Sequence, residues 1–138
     1  MKAKKINHVA IIIPDLDEAR HFYGEVLGLP FDHEESSDVW NVTALFYWCG
    51  DVLLELLYPT GPGVDMDFLN ERGGGIHHIA YEVDDIEEAF ASMKDTYGTQ
   101  TDEILPGASD SRIFFLKTEN VGNVETELVQ SASISTHQ

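Results

Sequence analysis

Residues 7–28, NHVAIIIPDLDEARHFYGEVLG, lie without a gap over residues 77–98, HHIAYEVDDIEEAFASMKDTYG. A chain that repeats itself this way must fold as two copies of one supersecondary unit. The overlay puts His8 on His78, Ala10 on Ala80, Asp15 on Asp85, Glu18 on Glu88, Ala19 on Ala89 and Gly28 on Gly98. Each copy opens with a β-branched-rich strand and continues into an Asp-x-x-Glu capping box, Asp15 with Glu18 and Asp85 with Glu88. The apolar residues Leu16, Ala19, Tyr23, Val26 and Leu27, and then Ile86, Ala89, Phe90, Met93 and Tyr97, recur at helical spacing on one face. This predicts helices over 15–28 and 85–98, each ended by its glycine.

Three strand-like runs with turn signals between them follow each helix. They fall at 31–36, 41–48 and 52–58 in the first copy, and at 100–105, 111–117 and 123–130 in the second. The closing runs match as well: GDVLLELLY (50–58) lies over GNVETELVQ (122–130) and sets Glu55 on Glu127. The expected fold class is therefore α+β, with two tandem βαβββ modules forming a cupped, mostly antiparallel sheet around one metal site. The chain reads as one domain, with module one at 5–58, a Pro- and Gly-punctuated connector at 59–75, module two at 76–130 and a mobile polar tail at 131–138.

The repeat also chooses between the adjacent histidines of the second module. Successive strand side chains point to opposite faces, so His77 and His78 cannot serve one site on the same sheet. His78 is equivalent to His8, whereas His77 is equivalent to Asn7. Glu55 and Glu127 are the corresponding pair of last-strand carboxylates, set among apolar neighbours where a lone charge is expensive to bury unless something positive meets it. Taken singly, such a histidine is more often a packed strand residue and such a glutamate more often solvated. Their joint occurrence at repeat-related positions favours a site for one divalent metal ion ligated by His8, Glu55, His78 and Glu127.

Composition narrows the function classes. Eight Lys plus Arg against twenty-five Asp plus Glu give a formal charge of −17, a field that repels nucleic acid and anionic lipid. No nucleic-acid or membrane role is expected, and most of the carboxylates read as a solvated acidic surface. Cys49, the only cysteine, excludes an internal disulfide and suits a reducing, cytoplasmic setting. The opening MKAKK is followed by an apolar run too short for a signal peptide, interrupted by His8 and stopped at Pro14-Asp15.

The double βαβββ pattern, with His on the first strand and Glu on the last strand of each half, resembles the vicinal oxygen chelate superfamily. That superfamily includes glyoxalase I, extradiol dioxygenases, antibiotic-binding resistance proteins and methylmalonyl-CoA epimerases. INHVAIIIPDLDEARHFYGEVLGL, LLELLYP and above all DFLNERGGGIHHIAYEVDDIEEA look most like the epimerases. The resemblance spans residues 5–130. It implies His8, Glu55, His78 and Glu127 as ligands of one divalent ion (cobalt, manganese, nickel or zinc), Glu127 doubling as a base, and a small-molecule substrate of the acyl-CoA kind. The expected assembly is a homodimer.

Epimerisation needs a second acid/base group on the other side of the reacting carbon, and here the sequence departs from the pattern. The resemblance places an acidic residue just before the third strand, where this chain has Val39 or Trp40. Asp38 is the nearest carboxylate and the candidate for that role, with Glu35 further back. Arg112 and Lys117 are the better candidates for phosphate contacts, although each also reads as an edge-strand solubility charge. The competing functions are a glyoxalase I-like lyase, which needs only one base, and a non-catalytic small-molecule-binding or resistance protein. An iron dioxygenase is disfavoured by Glu55 as a fourth ligand. The aromatic run Trp40, Phe46, Tyr47 and Trp48 could line a pocket or fill a core.

Overall fold

The computed structural model describes residues 1–132 and divides the chain into two units, His8–His77 and a second made of Met1–Asn7 with the chain from His78 onward. Both boundaries cut strands. β1 (Lys5–Ile12) gives its first residues to the second unit, and β5 (Gly75–Glu82) gives its first residues to the first.

In the first unit, β1 leads into a short α-helix, α1 (Leu16–Ala19), which continues as a π-helical segment over Arg20–Val26. The Asp15 carboxylate accepts from the Glu18 backbone N–H at 2.9 Å, so the predicted cap is the actual start of the helix. Three strands follow, β2 (Phe31–Ser37), β3 (Val42–Cys49) and β4 (Val52–Pro59), in the spatial order β2-β3-β4-β1. β2/β3 and β3/β4 are antiparallel, while β4 and β1 run parallel with Ala10 opposite Glu55. Strand alternation sends Ile11, Ile13, Leu45, Tyr47, Leu54, Leu56 and Tyr58 to the helix side, where they pack with Leu16, Ala19 and Tyr23. The opposite face carries His8, Ala10, Phe46, Glu55 and Leu57.

The second unit repeats the plan. α3 (Ile86–Lys94) starts at Asp85, whose carboxylate accepts from the Glu88 N–H at 3.1 Å. The strands run in the order β5-β8-β7-β6, with β6 at Leu105–Pro106, β7 at Arg112–Phe115 and β8 at Thr126–Gln130. β5 and β8 are parallel and the other pairings antiparallel. Val83, Ile86, Ala89, Phe114, Leu116 and Leu128 form the helix-side core. Two α+β modules of the expected type are thus present, each with more antiparallel than parallel pairing.

Several element boundaries differ from expectation. The run at 100–105 is not a strand apart from Leu105. The Thr99 hydroxyl donates to the Thr101 carbonyl and the Thr101 hydroxyl to the Glu103 carbonyl, so side chains bend the backbone that a ladder would have used. The second helix ends at Lys94 rather than near Gly98, and the first turns π-helical after Ala19. The connector at 59–75 contains a helix, α2 (Val64–Arg72), ended by Gly73 in the left-handed conformation with its N–H donating to the Leu69 carbonyl at 2.7 Å. Asp65 and Asp67 in its first turn and Arg72 in its last complement the helix dipole. Of the tail, positions 133–138 lie outside the described residues. Ser131, by contrast, donates to Glu82 at 3.0 Å and accepts from Asn7 at 3.2 Å.

Replacing Asp85 with Ala removes the acceptor for one of the unsatisfied N–H groups at the start of α3. Unfolding free energy should fall by about 1 kcal/mol, measured by urea denaturation, and an unchanged midpoint would contradict the assigned cap.

Candidate active site

Each module buries one histidine and one glutamate on the sheet face away from its helix. In the first, His8 is 8% and Glu55 7% exposed, with Nε2 of His8 3.5 Å from Oε1 of Glu55. The parallel register makes this contact: Ala10 stands directly opposite Glu55, and His8, two residues earlier on β1, shares its face. In the second, His78 is 6% and Glu127 3% exposed, and Nε2 of His78 lies 2.9 Å from Oε1 of Glu127. There Ala80 stands opposite Glu127, the same offset again. The Phe115 ring, on the β7 residue across from Glu127, lies 5.1 Å from the His78 ring and perpendicular to it.

A buried carboxylate facing an imidazole is compensated only if the imidazole is protonated or a cation binds both. Imidazole nitrogen with carboxylate oxygen is also the donor set that suits a divalent first-row metal. Each pair is therefore fit to ligate such an ion, and the four expected ligands form one matched pair per module.

His77 lies elsewhere. Its Nε2 is 3.7 Å from Oδ1 of Asp65 and its ring meets the edge of Phe68 at 5.1 Å, both residues of α2. The histidine opposite in parity to His78 serves to pack α2. Asp38 occupies the turn between β2 and β3 with its side chain exposed, beside Val39, which is 77% exposed, and Trp40, whose N–H donates to the Ser37 hydroxyl at 3.1 Å. Arg112 pairs with Glu87 at 3.4 Å, and Lys117 lies along Gly98. Of the aromatic run, Tyr47 belongs to the helix-side core, whereas Phe46 is buried on the face of Glu55, which it pairs with across strands.

His33, on that face, was not singled out from the sequence. His33 sits between two carboxylates, its Nδ1 on Asp32 and its Nε2 on Glu35, and its ring lies flat on Phe46 at 4.4 Å with a 2° interplanar angle. The Trp48 indole N–H donates to Asp32 at 2.8 Å. The β2/β3 register breaks between Phe31 and His33, a bulge at Asp32 that puts Phe31 opposite Tyr47 but His33 opposite Phe46. The sequence signal was the spacing of His33 and Glu35, two apart in a strand and hence on one face. Partial burial pulls the His33 pKa down, but the hydrogen bonds to Glu35 and Asp32 and their charges outweigh it, so the imidazolium is held above its ordinary value. The Trp48 and His33 hydrogen bonds in turn hold the Asp32 carboxyl below its ordinary value.

Residues 7–115 match the model of the Glyoxalase/Bleomycin resistance protein/Dioxygenase superfamily. The mitochondrial methylmalonyl-CoA epimerase of Mus musculus is 34% identical, covering 94% of this chain and 75% of its own length. The ethylmalonyl-CoA/methylmalonyl-CoA epimerase of Cereibacter sphaeroides is 33% identical over 91% of this chain and 97% of its own. A variant of the Streptomyces coelicolor methylmalonyl-CoA epimerase, solved in complex with 2-nitronate-propionyl-CoA, superposes with a TM-score of 0.90 at 31% identity, covering 96% of this chain and 100% of that one.

Because the His33 pKa is raised in the folded state, its stabilisation is complete below the unfolded value of about 6.5 and disappears as pH rises through the folded value. The stability advantage of wild type over His33→Gln should therefore be largest near pH 6 and shrink toward about pH 9. Urea midpoints across that range check it, and an advantage that grew with pH would reverse the assignment.

Proposed function

The chain belongs to the Glyoxalase/Bleomycin resistance protein/Dioxygenase superfamily, and from that premise we propose that it is a metal-dependent epimerase acting on methylmalonyl-CoA or a closely related chelating acyl thioester. The observation that carries the reading is the matched pair of buried His–Glu contacts, His8 with Glu55 and His78 with Glu127, in a chain about a third identical to epimerases over nearly its whole length.

In this proposal His8, Glu55, His78 and Glu127 would together hold one divalent ion, which would supply Lewis-acid stabilisation of the negative charge that develops on the substrate. The two carboxylates balance the ion's charge and the two imidazoles bind as neutral ligands. Glu127 takes the α-proton: the C–H bond breaks and its electron pair moves into the thioester carbonyl. Inversion then requires another residue to return a proton to the other lobe of the carbon. Asp38 is the sequence candidate for that step. A cytoplasmic location and a homodimeric assembly complete the proposal. No helix among the described residues is long and apolar enough to cross a membrane.

A glyoxalase I-like lyase is the second reading: the resemblance expects an acid near the place where this chain has Val39 or Trp40, and a lyase of this type needs a single base.

His78→Ala should lose most bound metal while His77→Ala keeps it, because His77 faces Asp65 and Phe68 rather than Glu127. Metal content of the purified variants decides this, and equal loss from both would refute the ligand assignment. In deuterium oxide, wild type loaded with metal should wash deuterium into the α-position of methylmalonyl-CoA, and Glu127→Gln should stop this even in excess metal, a drop of about 100-fold or more. Conversion of a glutathione hemithioacetal without any such exchange would transfer the assignment to the lyase.

A further inference from the structure

Resting on the epimerase reading, we propose that the Phe46 ring, clamped by His33, is the wall that limits the size of the α-substituent on the acyl thioester. The strand registers of the first unit place the ring for this. Phe46 stands directly opposite Glu55 on the neighbouring strand, which brings their Cβ atoms to about 5 Å, and the two share the sheet face away from the helix. Across β1 the residue opposite Glu55 is Ala10, and one same-face step further along β3 and β4 stand Ala44 and Leu57. An alkyl group carried past the Glu55 carboxylate therefore meets apolar side chains. Of the two directly opposite that carboxylate, Phe46 is the larger.

A ring sets a sharp size limit only if it cannot yield. His33 lies flat on Phe46, with 4.4 Å between ring centroids and 2° between planes. That imidazole is itself pinned, Nδ1 to Asp32 and Nε2 to Glu35, and the Trp48 indole N–H holds Asp32 in turn at 2.8 Å. Partial burial opposes a charge on His33, yet the hydrogen bonds and charges of Glu35 and Asp32 hold its pKa above the ordinary value, and a cation kept over a ring face attracts the ring. Phe46 is 3% exposed, so it can shift only by disturbing this stack, and a longer or branched substituent forces that shift as overpacking does in a core. His33 is thus a positioning residue that acts through Phe46. The bulge at Asp32 serves the same end, since an unbroken register would set His33 opposite Leu45 instead of Phe46.

Such a wall discriminates by size. One methylene too many in a fitted apolar pocket lowers kcat/KM by about 10- to 200-fold, and a wall that can rearrange lowers it less. The expected order for wild type is therefore methyl first, with a steep loss at a branched substituent. Intrinsic crowding at the α-carbon is the same for wild type and variants, so a change in the ratio between two substrates reports the wall rather than the chemistry.

The test compares methylmalonyl-CoA with isopropylmalonyl-CoA, reading α-proton exchange in deuterium oxide with the metal-loaded enzyme. For wild type, kcat/KM should be about 100-fold or more lower for the isopropyl thioester. Phe46→Leu should narrow that ratio about tenfold or more. So should His33→Ala, which keeps the phenyl ring but frees it to move. Both substrates are read on one preparation, so a partly unfolded variant lowers both rates and leaves their ratio unchanged. The His33 side chain is 35% exposed, and His33→Ala decides the matter by itself if Phe46→Leu fails to fold. Titration calorimetry on Glu127→Gln in excess metal should show the same preference as a ratio of Kd values, narrowed when Phe46→Leu is added. A kcat/KM ratio within threefold of wild type in His33→Ala or in a folded Phe46→Leu would overturn the wall, as would a wild type that takes both thioesters equally well or equal Kd values for the two. A metal-loaded wild type that exchanges the α-proton of neither would overturn the epimerase reading, whereas failure confined to the ratios leaves that reading standing.

Discussion

Two carboxylates that the fold removes from water govern the arrangement around them. Glu55 and Glu127 lie in the closing strand of their modules at 7% and 3% exposure, and an ionised carboxylate in such a place needs a cationic or protonated partner. The parallel pairing of first and last strands provides a histidine within each module, offset from the glutamate by one same-face step. Each module thereby presents an imidazole nitrogen and a carboxylate oxygen in nearly the same relation. The helix-side cores are mainly apolar because the buried His–Glu pairs of these strands face the other way.

The match between modules loosens with distance from those strands. In the first, the outer strand β2 runs seven residues and carries the His33 cluster. In the second, the equivalent segment is bent by threonine hydroxyls and keeps a two-residue strand. Conservation of the inner strands with divergence of the outer ones fits a division of labour in which the inner strands hold an ion and the outer strands shape what meets it. The cluster of His33 with two carboxylates has no counterpart among the described residues of the second module's outer strand.

What was legible in the sequence was whatever the repeat wrote twice. His8 with His78, Glu55 with Glu127 and Asp15 with Asp85 could be assigned by overlay, and the parity of His77 followed from strand geometry alone. α2 was obscured by its flanking glycines and proline and by apolar residues that do not gather on one face, although Gly73 and the dipole-matched ends were in view. The shortening of β6 depends on competition between threonine hydroxyls and a ladder, a balance settled by tertiary contacts. His33 was hidden for another reason: the charged run Asp32 to Glu35 reads as solvated surface, and its placement depends on an irregularity that no alternation pattern predicts.

That irregularity at Asp32 works as a parity switch. In an unbroken strand Phe31 and His33 would share a face, and either the Phe31 ring would leave Tyr47 or the imidazole would leave Phe46. One extra residue lets consecutive stretches of a single strand answer to different masters, hydrophobic packing before the bulge and polar chemistry after it. A lineage that gained or lost this residue would exchange the whole set of outward and inward side chains on the strand in one step, without altering any of them. Reactivity on such a sheet can therefore change through chain length as readily as through the identity of its residues.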